Sequence, residues 1–340
     1  MTSLLFESAL RATLIITSAF TAATLAHAET SSPMPAAQNQ LELDQRASTS
    51  LVALTSPDPA ERAAAACELG RIGGRARAAI PQLIALMADG TPLPSQIFCG
   101  TQPPFEDESW APDHAEVLEP SPGEAATRAL LGMGDEAIAP LTETLVGASH
   151  WRARKNAAWA LAHRGRATSE LINALKDPAW QVRTEAAYAL FQRGGSSRQV
   201  IDALSSALLD NAWQVREQAT LALGNKGGGG TDVVESLLLA LSDQHSRVRV
   251  AATVVLWHRA DLRAWDALLG ALRDPDEGVR SGAARALGNR ARDPEVQLLI
   301  AARHDPDQHI REGVREALRI VDERMRGTTT NLTRIQIPID

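Results

Sequence analysis

The sequence predicts an all-α solenoid of about eight stacked helical hairpins, and three observations carry that prediction. One pattern recurs along the chain: D-P-A-W-Q-V-R-T-E-A-A-Y-A-L from Asp177, D-N-A-W-Q-V-R-E-Q-A-T-L-A-L from Asp210, D-Q-H-S-R-V-R-V-A-A-T-V-V-L from Asp243, D-P-D-E-G-V-R-S-G-A-A-R-A-L from Asp274 and D-P-D-Q-H-I-R-E-G-V-R-E-A-L from Asp305. Its closing leucine falls at Leu69, Leu130, Leu161, Leu190, Leu223, Leu256, Leu287 and Leu318, at spacings of 61, 31, 29, 33, 33, 31 and 31 residues. A fixed period of this size belongs to stacked supersecondary units. The composition, 44% apolar but only 4% aromatic, suits alanine- and leucine-rich helices that bury their surface against neighbours.

Each copy accounts for one helix. Asp accepts the free N–H groups of a first helical turn and Pro needs none, so Asp177-Pro178 reads as a helix start. At about 100° per residue, Val182, Ala186 and Leu190 share a narrow face whose small side chains let another helix approach closely. Second apolar segments, Val200 to Leu209 and Val233 to Leu241 among them, follow the copies. Each unit therefore reads as an Arg-bearing helix and its hairpin partner, with Gly227 to Gly230 connecting the two helices of one unit. The first spacing is one repeat plus about one repeat's length of inserted chain.

The pattern D-P-x-x-x-V-R-x-x-A-A-x-A-L resembles the HEAT-like repeats, specifically the short type named after phycobilisome lyases, over residues 41–326. The resemblance implies a right-handed solenoid in which the Arg-bearing helices line the concave face. It also implies a ladder between neighbouring units, formed by the Asp and the Arg six residues later. Asp177/Arg183, Asp210/Arg216, Asp243/Arg249, Asp274/Arg280 and Asp305/Arg311 fit; Ala148 stands six before Arg154 and Ser56 six before Arg62, so the ladder is expected to be interrupted towards the N-terminus.

Residues 1–28 read as a secretory signal, with an apolar run through Leu14, Ile15, Ile16 and Phe20 and small residues at Ala26-His27-Ala28; a buried first helix is the other reading. The run is short and broken by Thr and Ser, which disfavours a lasting membrane span. Residues 29–40 are polar and aperiodic and read as a flexible tether. The segment 89–122 carries seven prolines and the acidic group Glu106, Asp107, Glu108, so it reads as an inserted loop, with Phe98, Phe105 and Trp110 suited to docking. Residues 327–340 lose the helical period and read as a tail.

The motifs of common chemistries are absent: there is no G-x-S-x-G, H-E-x-x-H, C-x-x-C or Walker A loop. The histidines are scattered, and His304 and His309, five apart, do not share a helix face, so neither a metal nor a cofactor is expected. A net charge of −7 argues against general nucleic-acid binding. The acid pairs fall where caps and solvated faces would put them.

Two slots point to a partner. Trp151, Trp180 and Trp213 each stand three residues before the repeat Arg; such a row either plugs the gaps between repeats or forms an aromatic ridge for a partner. Two residues before the closing Leu come Trp159, Tyr188, Leu221 and Val254. Measured from Val182, Tyr188 lies near ~240°, away from the packing face, and by the resemblance it looks into the groove. A contiguous apolar register of this kind marks an interaction site unless the helix is buried on both sides. Cys67 holds the same slot in the first repeat and Cys99 lies in the insertion; in an oxidising compartment they either pair or stay two free thiols. The reading is a monomeric, non-catalytic scaffold of the bacterial envelope, periplasmic or secreted, that binds a protein or peptide along its concave face. The alternatives are an enzyme or enzyme accessory of the phycobilisome-lyase kind and a structural spacer.

Overall fold

The computed structural model describes residues 36–93, 120–165, 168–193, 197–224, 231–257 and 262–327, and these contain helices, turns and no strand. The expected signal, most of the insertion, Cys99, the tetraglycine connector and the tail from residue 328 lie outside them. The chain divides into two compact units, Met1–Thr49 and Ser50–Asp340. The described part of the first is the beginning of helix α1 (Ala36–Ala53), held by local bonds such as Gln40 Nε2 to Asp44 Oδ1 at 3.0 Å. This helix starts inside the segment read as a tether, because A-A-Q-N-Q-L-E-L is rich in strong helix formers.

The second unit is an all-α solenoid of two layers. One layer holds α2 (Pro59–Ile72), α4 (Pro122–Gly132), α6 (Trp151–Arg164), α8 (Trp180–Arg193), α10 (Trp213–Gly224), α12 (Ser246–Trp257), α14 (Glu277–Arg290) and α16 (Gln308–Gly327). The other holds α3 (Ile80–Leu86), α5 (Ile138–Gly147), α7 (Thr168–Ala174), α9 (Arg198–Ala207), α11 (Thr231–Ala240), α13 (Leu262–Ala271) and α15 (Asp293–Ala302). Each even-numbered helix packs on the next even-numbered one. The face that does so is the narrow one: Val182, Ala186 and Leu190 are fully buried, as are Leu130, Leu161, Leu223 and Leu287. Small residues set the closest approach. A Cβ at Gly70 would lie 2.9 Å from the Ala129 Cα, and one at Gly132 2.7 Å from the Gly70 carbonyl oxygen, so α2 and α4 meet nearly backbone to backbone.

Two expectations are corrected here. Most odd-numbered helices pack chiefly on the even-numbered helix that follows, so the hairpins are α3–α4, α5–α6 and so on to α15–α16. The Asp therefore lies at the turn within a hairpin, between its odd- and even-numbered helices. Second, Asp177 is not the N-cap of α8, which begins at Trp180. Its Oδ1 accepts the Ala179 N–H at 2.8 Å, a side-chain turn that leads into the helix and leaves the carboxylate facing the previous hairpin.

Candidate functional site

The turns are stitched by one repeated device. The Asp carboxylate accepts the N–H two residues on, at Ala179, Ala212, His245, Asp276 and Asp307. The same carboxylate also receives the Arg of the preceding hairpin: Arg154 Nε to Asp177 at 2.6 Å, Arg183 to Asp210 at 2.6 Å, Arg216 to Asp243 at 2.7 Å and Arg249 to Asp274 at 2.7 Å. Each Arg also donates through Nη1 to the backbone carbonyl six residues before it, as Arg183 does to Asp177 at 2.8 Å. The rungs are largely shielded from water, so the bidentate geometry matters. Burial pushes the Asp243 carboxyl up, but Arg216 and the His245 N–H hold it below its ordinary value, while bonding to the Asp raises Arg154, Arg183, Arg216 and Arg249.

The ladder is interrupted towards the N-terminus, as expected, but not at Arg62 or Arg154, which both keep their rungs. Arg154 donates to the Ala148 carbonyl at 2.7 Å and Arg62 to the Ser56 carbonyl at 2.8 Å, because the contact six residues back is to backbone, which any residue supplies. The carboxylate for Arg62 is Asp89, at 2.8 Å, which also turns the chain by accepting the Thr91 N–H at 3.0 Å. The ladder is broken one step later. Gly123 stands in the Arg slot of α4 and Ala148 in the Asp slot of the next turn, so both halves of one rung are missing together. A Cβ at Gly123 would lie 2.7 Å from the carbonyl oxygens of Met87 and Asp89, which excludes an Arg. In place of the rung, Asn156 Nδ2 reaches the Met87 carbonyl at 2.9 Å. At the far end, Arg280 keeps its bonds to the Asp274 and Pro275 carbonyls, but Asp305 is met by Arg273 at 3.5 Å, and Arg311 bonds the Asp305 carbonyl at 2.7 Å.

The insertion leaves and re-enters at the broken step. Leu93 N–H donates to the Pro120 carbonyl at 2.8 Å and Gly123 N–H to the Asp89 carbonyl at 3.0 Å, so its two ends are tied at a common base. Beside it, between α3 and α5, opens a cleft of about 760 Å³ lined by Ile80, Ile84, Pro140, Ala148 and His150 among others. Cys67 on α2 is disulfide-bonded.

Trp159, Tyr188, Leu221 and Val254 stand on α6, α8, α10 and α12 and are each half-buried, neither sealed nor free. The Trp159 ring lies 4.0 Å from that of His163, and Gln192 donates to the Tyr188 hydroxyl at 2.8 Å. Trp151, Trp180 and Trp213 are the first residues of α6, α8 and α10. Trp213 stacks on His245 of the next hairpin at 4.2 Å and packs against Ala240, Val248 and Ala252, so it plugs a gap between repeats. Trp151 carries the Arg152 guanidinium over its ring at 4.7 Å.

Three acids that the sequence analysis did not single out, Glu124, Glu185 and Glu217, stand on the helices that carry this row. Glu185 precedes Tyr188 by one helical turn. Its Oε1 is sealed from solvent and has no hydrogen-bond partner among the described residues. Burial pushes its carboxyl up to about 7, with Lys155 on α6 opposing and Glu124 on α4 adding to the rise. Burial likewise raises Glu124, against Lys155, Arg128 and Arg152, and takes Glu217 on α10 to about 7, against Arg247. The signal was legible: Glu124, Lys155 and Glu217 all stand four residues before the groove slot of their helix, which places them on its face. Among the described residues no group of three or more His, Cys, Asp or Glu is placed to hold a metal ion, and no helix is long and apolar enough to cross a membrane.

A family model described as HEAT repeats matches residues 123–190, 138–224 and 234–319, together more than half of the chain. The chain belongs to the HEAT-repeat proteins. Its fold is shared with Kap121p, at a TM-score of 0.58 and 15% identity over 83% of this chain and 34% of that one. It is also shared with the Escherichia coli protein YibA, at a TM-score of 0.51 and 16% identity over 85% of this chain and 100% of that one. Likenesses at this identity concern the fold alone. Among curated proteins none matches the sequence.

Proposed function

We propose that the chain is a non-catalytic scaffold of the bacterial cell envelope that binds a protein or peptide along a concave face lined by its even-numbered helices. One observation carries the reading: the same slot on four consecutive helices holds Trp159, Tyr188, Leu221 and Val254, all partly open to solvent. Stacked helices set such side chains in a row, and a contiguous apolar row with one edge wet is where partners anchor. The net charge of −7 favours a protein partner over nucleic acid. Export through residues 1–28 and a Cys67–Cys99 bond, which would tie the insertion to α2, belong to the same proposal, since an exported protein meets oxidising conditions. The scaffold acts as a monomer.

The test is affinity purification from the periplasmic fraction with wild type and a Trp159→Ala/Tyr188→Ala variant, with thermal unfolding of both as the folding control. Loss of a specific co-purifying protein from a folded variant supports the face; an unchanged set of partners refutes it. The mass of the purified protein reports the rest: removal of residues 1–28, and one disulfide.

A further inference from the structure

The even-numbered helices share one design, and α6 departs from it by carrying cations that the repeat does not ask for. Two positions before the rung Arg stands Arg152 on α6, but Gln181 on α8 and Gln214 on α10. One position after it stands Lys155 on α6, but Thr184 and Glu217 on the next two. Further along, Arg247 of α12 acts on Glu217 of α10, one cation to one acid. The corresponding positions at the start of the solenoid set Arg152 against Glu124, but there Lys155 and Arg128 act on the acid as well. Arg128 stands one turn along α4 from Glu124 and serves as its cation, so Arg152 and Lys155 are in surplus. Neither closes to ion-pair distance with an acid among the described residues. Lys155 also acts on Glu185, but does not bond the sealed Oε1 of that residue.

The placement of Arg152 is costly and yet fixed. It stands in the first turn of α6, where a cation opposes the helix dipole and no acid offsets it. Its guanidinium lies 4.7 Å over the Trp151 ring, and it passes so close to Gly90 that a Cβ there would sit 2.5 Å from its Nε. At about 100° per residue, Arg152, Lys155 and Trp159 fall within about 60° of one another on α6, and all three are partly open to solvent. Two unpaired cations three residues apart, about 5–6 Å between Cβ atoms, with an aromatic ring one turn on, match a carboxylate borne by a chain that continues over an apolar surface.

Resting on the receptor reading of this face, we propose that Arg152 and Lys155 hold an aspartate or glutamate side chain of an extended partner peptide whose neighbouring residues lie on Trp159. The Arg152 guanidinium and the Lys155 ammonium donate to the carboxylate oxygens, and the Trp159 ring packs on the adjoining apolar side chain. Charge complementarity selects the occupant. The site is locally positive although the chain carries −7 overall, because exposed charges more than about 8 Å away are largely screened at physiological salt. A basic peptide, which the net charge alone would favour, is repelled at this point.

The experiment measures fluorescence anisotropy of labelled hexaglutamate, with hexaglutamine as the neutral probe, against the full chain, Arg152→Gln/Lys155→Gln and Lys176→Gln/Arg315→Gln. Lys176 and Arg315 are exposed cations on other elements, so the two variants lose the same charge. Wild type and Lys176→Gln/Arg315→Gln should bind hexaglutamate alike, and Arg152→Gln/Lys155→Gln about tenfold or more weakly, the loss of the charge-assisted bonds to one carboxylate. Thermal unfolding checks that each variant folds. Lys155→Gln gives up no bond of the folded chain and should bind about threefold or more weakly by itself, which keeps the test open if the double variant unfolds. Undiminished binding by these variants, tight binding of hexaglutamine, or no binding of hexaglutamate by wild type overturns the proposal. Binding that appears only after Glu106→Gln/Asp107→Asn/Glu108→Gln assigns the site to the acids of the chain's own insertion and overturns it as well. If the partner captured from the periplasm is lost with Trp159→Ala/Tyr188→Ala but kept by Arg152→Gln/Lys155→Gln, the receptor face stands and the carboxylate site falls. Weakened hexaglutamate binding by Arg152→Gln/Lys155→Gln, with an unchanged partner set for Trp159→Ala/Tyr188→Ala, refutes the receptor face and leaves the carboxylate site standing.

Discussion

The stretch from α6 to α12 and the step from α4 to α6 are built on the same repeat and differ in one pair of positions. In the first, every Arg finds the next Asp at 2.6 to 2.7 Å. In the second, Gly123 and Ala148 remove both halves of a rung, the Asn156 amide reaches the Met87 carbonyl instead, and the two ends of the insertion are tied at the same place. The difference teaches that the ladder is a set of pairs and not a property of single residues. Losing both partners leaves no orphan charge and costs little, whereas losing one strands a shielded ion.

Arg216→Ala breaks the comparison most severely. It leaves Asp243 largely shielded and without its cation, and should cost about 3–5 kcal/mol in urea unfolding; a loss below about 1 kcal/mol would mean the rungs are ornamental. Glu185→Gln works in the opposite direction. The folded carboxyl is raised from 4.5 to about 7, so the folded state holds a proton that the unfolded chain releases, and stability declines as pH rises from about 4.5 to 7. The variant should therefore match wild type below pH 4 and exceed it above pH 7, by up to about 3 kcal/mol. A gain that is the same at pH 4 and pH 8 removes the burial argument. Asn156→Ala, which frees the Met87 carbonyl at the broken step, should cost about 1–3 kcal/mol, measured in the same denaturant series. The smallest effect belongs to Ala148→Asp. With Gly123 opposite it gains no rung, and the melting temperature should stay within the shift expected of about 0.5 kcal/mol. A large stabilisation there would show that the step can be closed.

Much of this was legible. The closing leucines gave the period, and the burial of Val182, Ala186 and Leu190 follows from their phase alone. The rungs at Arg62 and Arg154 were not legible, because the contact six residues back is to a backbone carbonyl, which leaves no mark in the sequence, and the paired carboxylate belongs to the next turn. Gly123 could have been found by counting seven residues before Leu130. The burial of Glu185 left no mark in the sequence for a different reason: its solvation depends on how the neighbouring helices pack around it.

The sequence by itself determined the repeat, the helix phase and the row that Trp159, Tyr188, Leu221 and Val254 occupy, because these follow from local periodicity and from side-chain volumes on one helix. The tertiary structure decided which helices pair as hairpins, which Asp receives which Arg, where a rung could be omitted and which carboxylate loses its water. Those depend on distances between residues about 25 to 70 positions apart, and desolvation is a property of the packed neighbours, not of the residue that bears the charge.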